Sequence, residues 1–311
     1  MTLQQLEYLV ALDTHRQFVL AAEKCFVTQP TLSMQVQKLE DELGILLFHR
    51  TKSGIEPTAV GAKVVQHARE VLRSVKQLRE TVQLEKGELV GELRLGIIPT
   101  LAPYLVPLFL LELVQQHPQL RVQVEELQTE HIVQRLKTNQ LDVGLLVTPL
   151  DDRALQEIPV LEEPFLGYVA EDHPLHAQAT IRPQDLQAHD NMWLLQQGHC
   201  FRHQVLNICT PAAASAARPF TYESGSIETL KQLVRQNHGY TLVPELAVLD
   251  ELGHNAMIKR FEAPEPVREV SLVVHHSFVR RPLLTLLRDT ILQRTPARLH
   301  ARGAGQKIRW K

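Results

Sequence analysis

Six apolar residues, Val64, Ala68, Val71, Val75, Leu78 and Val82, follow one another at alternating steps of four and three. That spacing is a heptad seam on one helix, and it carries more apolar residues than the single buried stripe of a solvent-exposed helix needs, which favours a second helix covering it. Lys63, Arg69, Arg73, Lys76 and Arg79 make the same helix basic. At 311 residues the chain is long for one core, and two or three domains are expected. Residues 1–60 form one domain, 61–87 a dimerisation helix, and 88–300 a larger domain entered through the helix-breaking Lys86-Gly87-Glu88-Leu89-Val90-Gly91. The last stretch, 301–311, carries Arg302, Lys307, Arg309 and Lys311 and reads as a flexible, solvated basic tail.

Composition narrows the setting. A formal charge of −2 exerts no overall pull toward nucleic acid, so any DNA contact must be local. The opening Met1-Thr2-Leu3-Gln4-Gln5-Leu6-Glu7 lacks the basic start and small-residue cleavage site of an export signal. The strongest apolar run, Tyr104 to Val114, is broken by Pro107 and Glu112 and falls short of the roughly 20 residues that cross a bilayer. These features imply a cytoplasmic protein with no membrane partner. There thiols stay reduced, and a cysteine pair is more readily a transient redox couple than a structural bridge. The chain contains neither a glycine-rich phosphate loop nor a paired acid/base motif, so neither a cofactor nor enzymatic turnover is expected.

In the first 60 residues Leu3, Leu6 and Val10 share one helical face, and Phe18, Ala21, Ala22 and Cys25 supply a second, with Cys25 a small core residue. Thr28 caps a third helix that has Pro30 in its first turn. There Leu32, Val36 and Leu39 face inward, which leaves Gln29, Pro30, Thr31, Ser33, Met34, Gln37 and Lys38 outside. Amide, hydroxyl and lysine groups on such a helix suit the base edges and phosphates of a major groove. Two short strands about Gly54 follow, with His49, Arg50 and Lys52 in reach of a DNA backbone or minor groove. Lys and Arg number five in residues 1–60 against seven acids, so one copy should bind weakly and pairing must supply the rest.

From Phe18 to Gly61, the elements Ala21-Ala22, Gln29-Pro30-Thr31-Leu32-Ser33, Leu39-Glu40, Leu43-Gly44, Leu47-Phe48, Arg50-Thr51, Thr58 and Gly61 resemble the winged helix-turn-helix of the LysR-type transcriptional regulators. The resemblance implies that Gln29, Pro30, Thr31, Ser33, Met34, Lys38 and Arg50 face a double-stranded DNA operator. It also implies a homodimer that assembles into a homotetramer and works with RNA polymerase.

From Leu93 short β runs alternate with helices: strands at 93–98, 120–126, 143–148, 165–170, 192–196, 220–223, 240–244 and 270–275, and helices at about 100–116, 127–139, 226–236 and 281–294. Such alternation argues an α/β domain with largely parallel sheets, where ligands gather at strand carboxyl ends beside helix N-termini. Thr100 follows the first strand and Thr129 the second, so both hydroxyls are placed to line a cleft. The family resemblance implies two lobes, 90–162 plus 268–300 and 163–267, folded like periplasmic binding proteins. The whole chain then reads as α+β / α/β: a winged helix-turn-helix, a long linker helix and a two-lobed regulatory domain.

The stretch Gly198-His199-Cys200-Phe201-Arg202-His203-Gln204-Val205-Leu206-Asn207-Ile208-Cys209 holds two of the three cysteines. His199 and Arg202 are neighbours of the kind that lower a thiol pKa and enrich the reactive thiolate; Cys209 has none. Phe201, Val205 and Ile208 recur at helical spacing. Along a helix, nine steps of about 1.5 Å set the two Cα atoms roughly 13 Å apart with the sulfurs on opposite faces. A disulfide tolerates at most about 7 Å. Joining the two would require the segment to unwind, and a bond that refolds its own surroundings is a switch. His199 and His203 with the two cysteines offer a zinc site as an alternative, but the spacing is not a recurring zinc pattern and no metal is expected.

Together with Ile98-Pro99-Thr100, Gln128-Thr129 and Ser226-Ile227-Glu228-Thr229-Leu230, this stretch resembles the peroxide-sensing LysR-type regulators, over nearly the whole chain to about residue 295. His203, where an acidic residue is usual, and the alanine-rich 211–218 stretch depart from the pattern. The resemblance implies that Cys200 attacks hydrogen peroxide and Cys209 resolves the product into a disulfide. His199 and Arg202 would then support the thiolate, Thr100 and Thr129 would hold the peroxide, and Arg268 would tie the domain core to the switch. A thiol reductant such as glutaredoxin or thioredoxin would reset it. Two readings compete: a regulator of the same family gated by a small organic anion between the lobes, and a thiol peroxidase.

Overall fold

The structure, a computed structural model, describes residues 1–51, 54–85, 89–189, 191–209, 224–237, 239–300, 303 and 305–309. It falls into two compact units, Met1–Glu88 and Leu89–Lys311.

The first unit runs α1 (Leu3–His15), α2 (Phe18–Lys24), α3 (Gln29–Leu43), β1 (Phe48–Thr51), β2 (Gly54–Pro57) and α4 (Ala59–Glu85). Thr2 caps α1 in a reciprocal box with Gln5, and Thr28 caps α3 by accepting from the Thr31 amide. Each cap satisfies a helix N–H that has no partner inside the helix. Leu32, Val36 and Leu39 are the buried residues of α3, as their spacing predicts, and join Leu9, Leu12 and Leu47 in one core. Cys25 packs half-buried at its edge. On the outer side of α3, Gln29, Pro30, Met34 and Lys38 are exposed while Thr31 and Ser33 are half-buried. Arg50 stands opposite Ile55 in the antiparallel β1–β2 pair, and Lys52 lies outside the described residues. The seam on α4 divides in two. Ala68 is buried in the first core, whereas Val71, Leu78 and Val82 are 43%, 68% and 52% exposed.

The second unit continues with β3 (Gly91–Ile97), α5 (Ala102–Gln116), β4 (Leu120–Glu126), α6 (Thr129–Lys137), β5 (Val143–Thr148), β6 (Leu155–Val169), β7 (Thr180–Ile181), α7 (Pro183–Gln187), α8 (Cys200–Ile208), α9 (Ile227–Asn237), β8 (Tyr240–Pro244), β9 (Ile258–Phe261), β10 (Pro266–His275), α10 (Arg281–Arg294) and β11 (Gln306–Lys307). The strand order is β4-β3-β5-β10-β6-β9-β7, with β8 also on β6 and β11 on β10. Two cores follow. One lies around β3, β5, α5 and α10, the other around the second half of β6, β8, α8 and α9.

Four expectations need correction. The sheet is not largely parallel: β4, β3 and β5 are parallel, but β10 runs antiparallel to both β5 and β6, and β6 antiparallel to β8 and β9. Strand β6 starts ten residues before the expected 165 and links the two lobes, pairing with β10 in its first part and with β8 in its second. Pro159 and Pro164 hide this in the sequence, because proline reads as a strand breaker; a register shift at Val270/Ser271 makes room. The 301–311 tail, read as flexible, places Gln306 and Lys307 in a strand beside β10. The expected strand 192–196 consists of single bridges from Met192 and Leu195, and 220–223 lies outside the described residues.

Candidate redox site

Helix α8 begins with Cys200 and ends with Cys209 as its C-cap. The turn into it needs Gly198, whose φ is +91 and where a Cβ would press on the Gln128 side chain. Phe201, Val205 and Ile208 bury into the second core, and Phe201 stacks on Phe165 with centroids 5.2 Å apart. Cys200 instead packs in the first core, while Cys209 packs in the second. Both thiols are free. A regular helix of this length holds their Cα atoms roughly 13 Å apart.

The loop after β3, the start of α6 and the start of α8 meet at Cys200. Ile98, Pro99, Thr100, Gln128, Thr129, Gly198, His199 and Cys200 enclose about 10 Å³, close to the least space that holds one water molecule. Thr129 Oγ1 is buried there and unpaired among the described residues. It is near enough to the Cys200 sulfur for its hydroxyl to favour the thiolate.

Beneath the cavity lies a fully buried ion pair. Arg268 and Glu163 stand opposite one another on β10 and β6, and Arg268 Nε donates to Glu163 Oε2 at 2.8 Å. Arg268 Nη1 donates to Thr100 Oγ1 at 2.9 Å and Nη2 to the Thr100 carbonyl at 3.1 Å. Glu163 Oε1 accepts from the Leu246 amide at 2.8 Å. Burial raises the Glu163 pKa, opposed by Arg268 and by the Leu246 N–H. The Arg268 guanidinium also sits 5.3 Å from the Phe201 ring centre.

The electrostatics of Cys200 differ from the sequence expectation. Burial pushes its thiol pKa up; Arg268, the Thr129 hydroxyl and the Phe201 N–H oppose the rise without cancelling it. Arg202 is not the supporting cation, because its Nη1 donates to the Leu195 carbonyl at 2.7 Å. Residues two apart on a helix do not share a face. His199 is buried and its pKa is lowered by that burial, so near neutrality it is an uncharged hydrogen-bonding group rather than a cation. At the other end, burial takes the Cys209 thiol up to about 11. Among the described residues its sulfur meets the Val205 carbonyl at 3.4 Å and Met192 Sδ at 3.9 Å. His203 is exposed, and among the described residues no three metal-ligating side chains cluster.

Of the expected site residues, then, the structure brings Thr100, Thr129, His199, Cys200 and Arg268 together, sets Cys209 apart and turns Arg202 away. Sequence reasoning missed Glu163. Its one signal was an acid between the apolar Leu161 and Phe165 of a buried run.

A helix-turn-helix unit followed by a two-lobed α/β unit with a buried free cysteine beside a small cavity defines a DNA-binding regulator with an effector domain. Residues 3–62 match the family described as “Bacterial regulatory helix-turn-helix protein, lysR family”, and residues 86–296 match “LysR substrate binding domain”. The chain belongs to the LysR family of transcriptional regulators. It is 41% identical over 275 residues to the “Hydrogen peroxide-inducible genes activator” of Haemophilus influenzae, covering 88% of this chain and 90% of that one. It is 39% identical over 274 residues to the “DNA-binding transcriptional dual regulator OxyR” of Escherichia coli, covering 88% and 89%. Among solved structures, a full-length OxyR of Pseudomonas aeruginosa with a cysteine-to-aspartate substitution superposes with a TM-score of 0.78 at 36% identity, over 97% of this chain and 99% of that one. A cysteine-to-serine OxyR of Corynebacterium glutamicum, described as H2O2-bound, gives 0.62 at 28% identity over 94% and 92%.

Proposed function

We propose that this regulator senses hydrogen peroxide through Cys200 and Cys209 and controls oxidative-stress genes. One observation carries the reading: two free thiols end the same helix in different cores, and one of them lines a small cavity with two threonines. The names of the Haemophilus and Escherichia relatives, and the peroxide-bound Corynebacterium structure, support it.

In the cavity the Thr100 and Thr129 hydroxyls hold the peroxide, and neutral His199 adds a hydrogen-bonding wall. The Cys200 thiolate, favoured by Arg268, attacks one peroxide oxygen. The O–O bond breaks, the departing hydroxide takes up a proton to become water, and Cys200 is left as a sulfenic acid. Cys209 then attacks that sulfur, the S–S bond forms and a second water leaves. Two thiols are oxidised and one peroxide is reduced to two waters. Because the sulfurs start far apart, α8 must unwind before the second step, and that rearrangement is the signal. A glutaredoxin- or thioredoxin-type reductant returns the electrons.

Output follows from the first unit. Gln29, Pro30, Thr31, Ser33, Met34 and Lys38 on α3, with Arg50 of the wing, face the operator. The exposed Val71, Leu78 and Val82 of α4 are covered by the same helix of a second copy, giving a homodimer. Pairs of dimers form the tetramer that meets RNA polymerase, and the protein acts in the cytoplasm. A regulator gated instead by a small organic anion between the lobes would form no Cys200–Cys209 bond under mild peroxide treatment.

Free thiols titrated against peroxide, with the footprint on one operator followed in parallel, test the reading. Two thiols should disappear together as the footprint changes length, while Cys200→Ser should bind the operator and respond to nothing. A Cys200→Ser protein that still switches would refute the sensor.

A further inference from the structure

Beyond α10 the chain turns back along β6 and β10. His300 bridges Leu161, and the Gly303 amide donates to Glu162 at 2.8 Å. In β11, Gln306 lies opposite Pro266 and Lys307 opposite Val267, parallel to β10. The Lys307 ammonium pairs with Glu269 at 2.5 Å and Glu162 at 3.3 Å. Gly305 permits this path, because a Cβ there would collide with the Val267 side chain. Ile308 then packs on the second core.

This strap ends on the redox helix. Gln204 Nε2 donates to the Ile308 carbonyl at 2.7 Å, and Asn207 Nδ2 donates to the Arg309 carbonyl at 2.8 Å. The two donors are three apart on α8 and therefore share a face. Gln204 is fully buried, and its Oε1 is unpaired among the described residues, so its bond to the strap is the one satisfying its amide.

We infer that Gln204 and Asn207 are positioning residues for the thiol oxidation: they latch α8 to the C-terminal strap, and release of that latch sets how fast Cys209 reaches an oxidised Cys200. The inference rests on the peroxide reading above. Unwinding α8 must break both bonds and strip a buried amide of its partner, a cost the helical form does not bear. Attack of peroxide on Cys200 happens at the far end of α8 and needs no unwinding. The latch therefore acts on disulfide formation and leaves sulfenic acid formation alone.

Lys307→Glu places a third acid beside Glu162 and Glu269 and touches nothing on α8; Asn207→Ala removes an exposed donor from the other side. Sulfenic acid is trapped with dimedone, and the Cys200–Cys209 disulfide is followed by mass spectrometry at peroxide excess, where condensation is the slower step. Both variants should form the disulfide about three- to tenfold faster, the factor that losing one or two net hydrogen bonds gives. Sulfenic acid should form at the wild-type rate, and Lys307→Arg should behave as wild type. Wild-type disulfide rates in both variants, or slower ones, overturn the latch while sparing the sensor. Absence of any disulfide in the wild type overturns both. If Lys307→Glu does not fold, Asn207→Ala decides alone.

Discussion

The two ends of α8 carry the same residue type at similar depth, Cys200 at 6% and Cys209 at 1% exposure, yet their surroundings have little in common. Burial raises both thiols. At Cys200 a buried guanidinium, a threonine hydroxyl and a backbone N–H push the other way, next to a cavity. At Cys209 nothing among the described residues opposes burial, and the sulfur rests against a methionine and a carbonyl. Depth alone thus says little about which thiol reacts first; the donors aimed at the sulfur do. On the proposed function, the same contrast makes Cys200 the thiol that meets the oxidant and Cys209 the one kept back until the helix opens.

The comparison breaks most sharply by exchanging the ends. Cys200→Ser should abolish all peroxide-driven oxidation, whereas Cys209→Ser should leave the first step intact and accumulate a Cys200 sulfenic acid with no intramolecular disulfide. Intact-mass measurement after a brief peroxide pulse separates the two, and loss of the first oxidation in Cys209→Ser would erase the asymmetry.

Next in size is the ion pair under Cys200. Arg268→Met leaves the Glu163 carboxyl buried without its partner and pushes its pKa up further, a loss of about 3–5 kcal/mol in chemical denaturation at neutral pH. Adding Glu163→Leu should restore much of it, because the double variant buries no unpartnered carboxyl. A double variant no more stable than the single one would show that the two side chains do not act on the core as a pair.

Alkaline pH probes the other end. The Cys209 thiol titrates at its ordinary 9.0 when unfolded and at about 11 when folded. Between those values the unfolded chain has lost a proton that the folded one keeps. Its contribution is therefore complete below pH 9.0 and lost as pH rises toward about 11, amounting to about 2–3 kcal/mol. Cys209→Ala should flatten stability against pH in that window, and an unchanged slope would mean that the thiol is wetter than its packing indicates.

The smallest effect is expected at Thr129. Without its hydroxyl the Cys200 pKa rises further, so Thr129→Val should slow peroxide oxidation at pH 7 by about threefold to tenfold and move the pH–rate profile upward. The deficit should vanish at high pH, where thiolate is abundant in both proteins. Thr129→Ser should keep wild-type rates.

Much of this was legible in one dimension. The three-and-four spacing of Leu32, Val36 and Leu39 predicts the inner face of α3, and that of Phe201, Val205 and Ile208 predicts the buried side of α8. Thr100 and Thr129 could be assigned to a cleft because each follows a strand. Local periodicity fails where a contact depends on strand register. Arg202 is two residues from Cys200 and turns away, while Arg268 lies far along the chain and faces it, held by a partner, Glu163, that only the pairing of β6 with β10 reveals.

By itself, the sequence determined the helices and their inner faces, the division into a DNA-binding head and a two-lobed domain, and which residues can do thiol chemistry. Those properties follow from spacing along the backbone. Only the tertiary structure decided which cation serves Cys200, that the two sulfurs belong to different cores, and that the C-terminal strand is tied to the helix between them. The reason is physical: a side chain's charge partners and burial depend on the elements packed over it, and those come from distant parts of the chain.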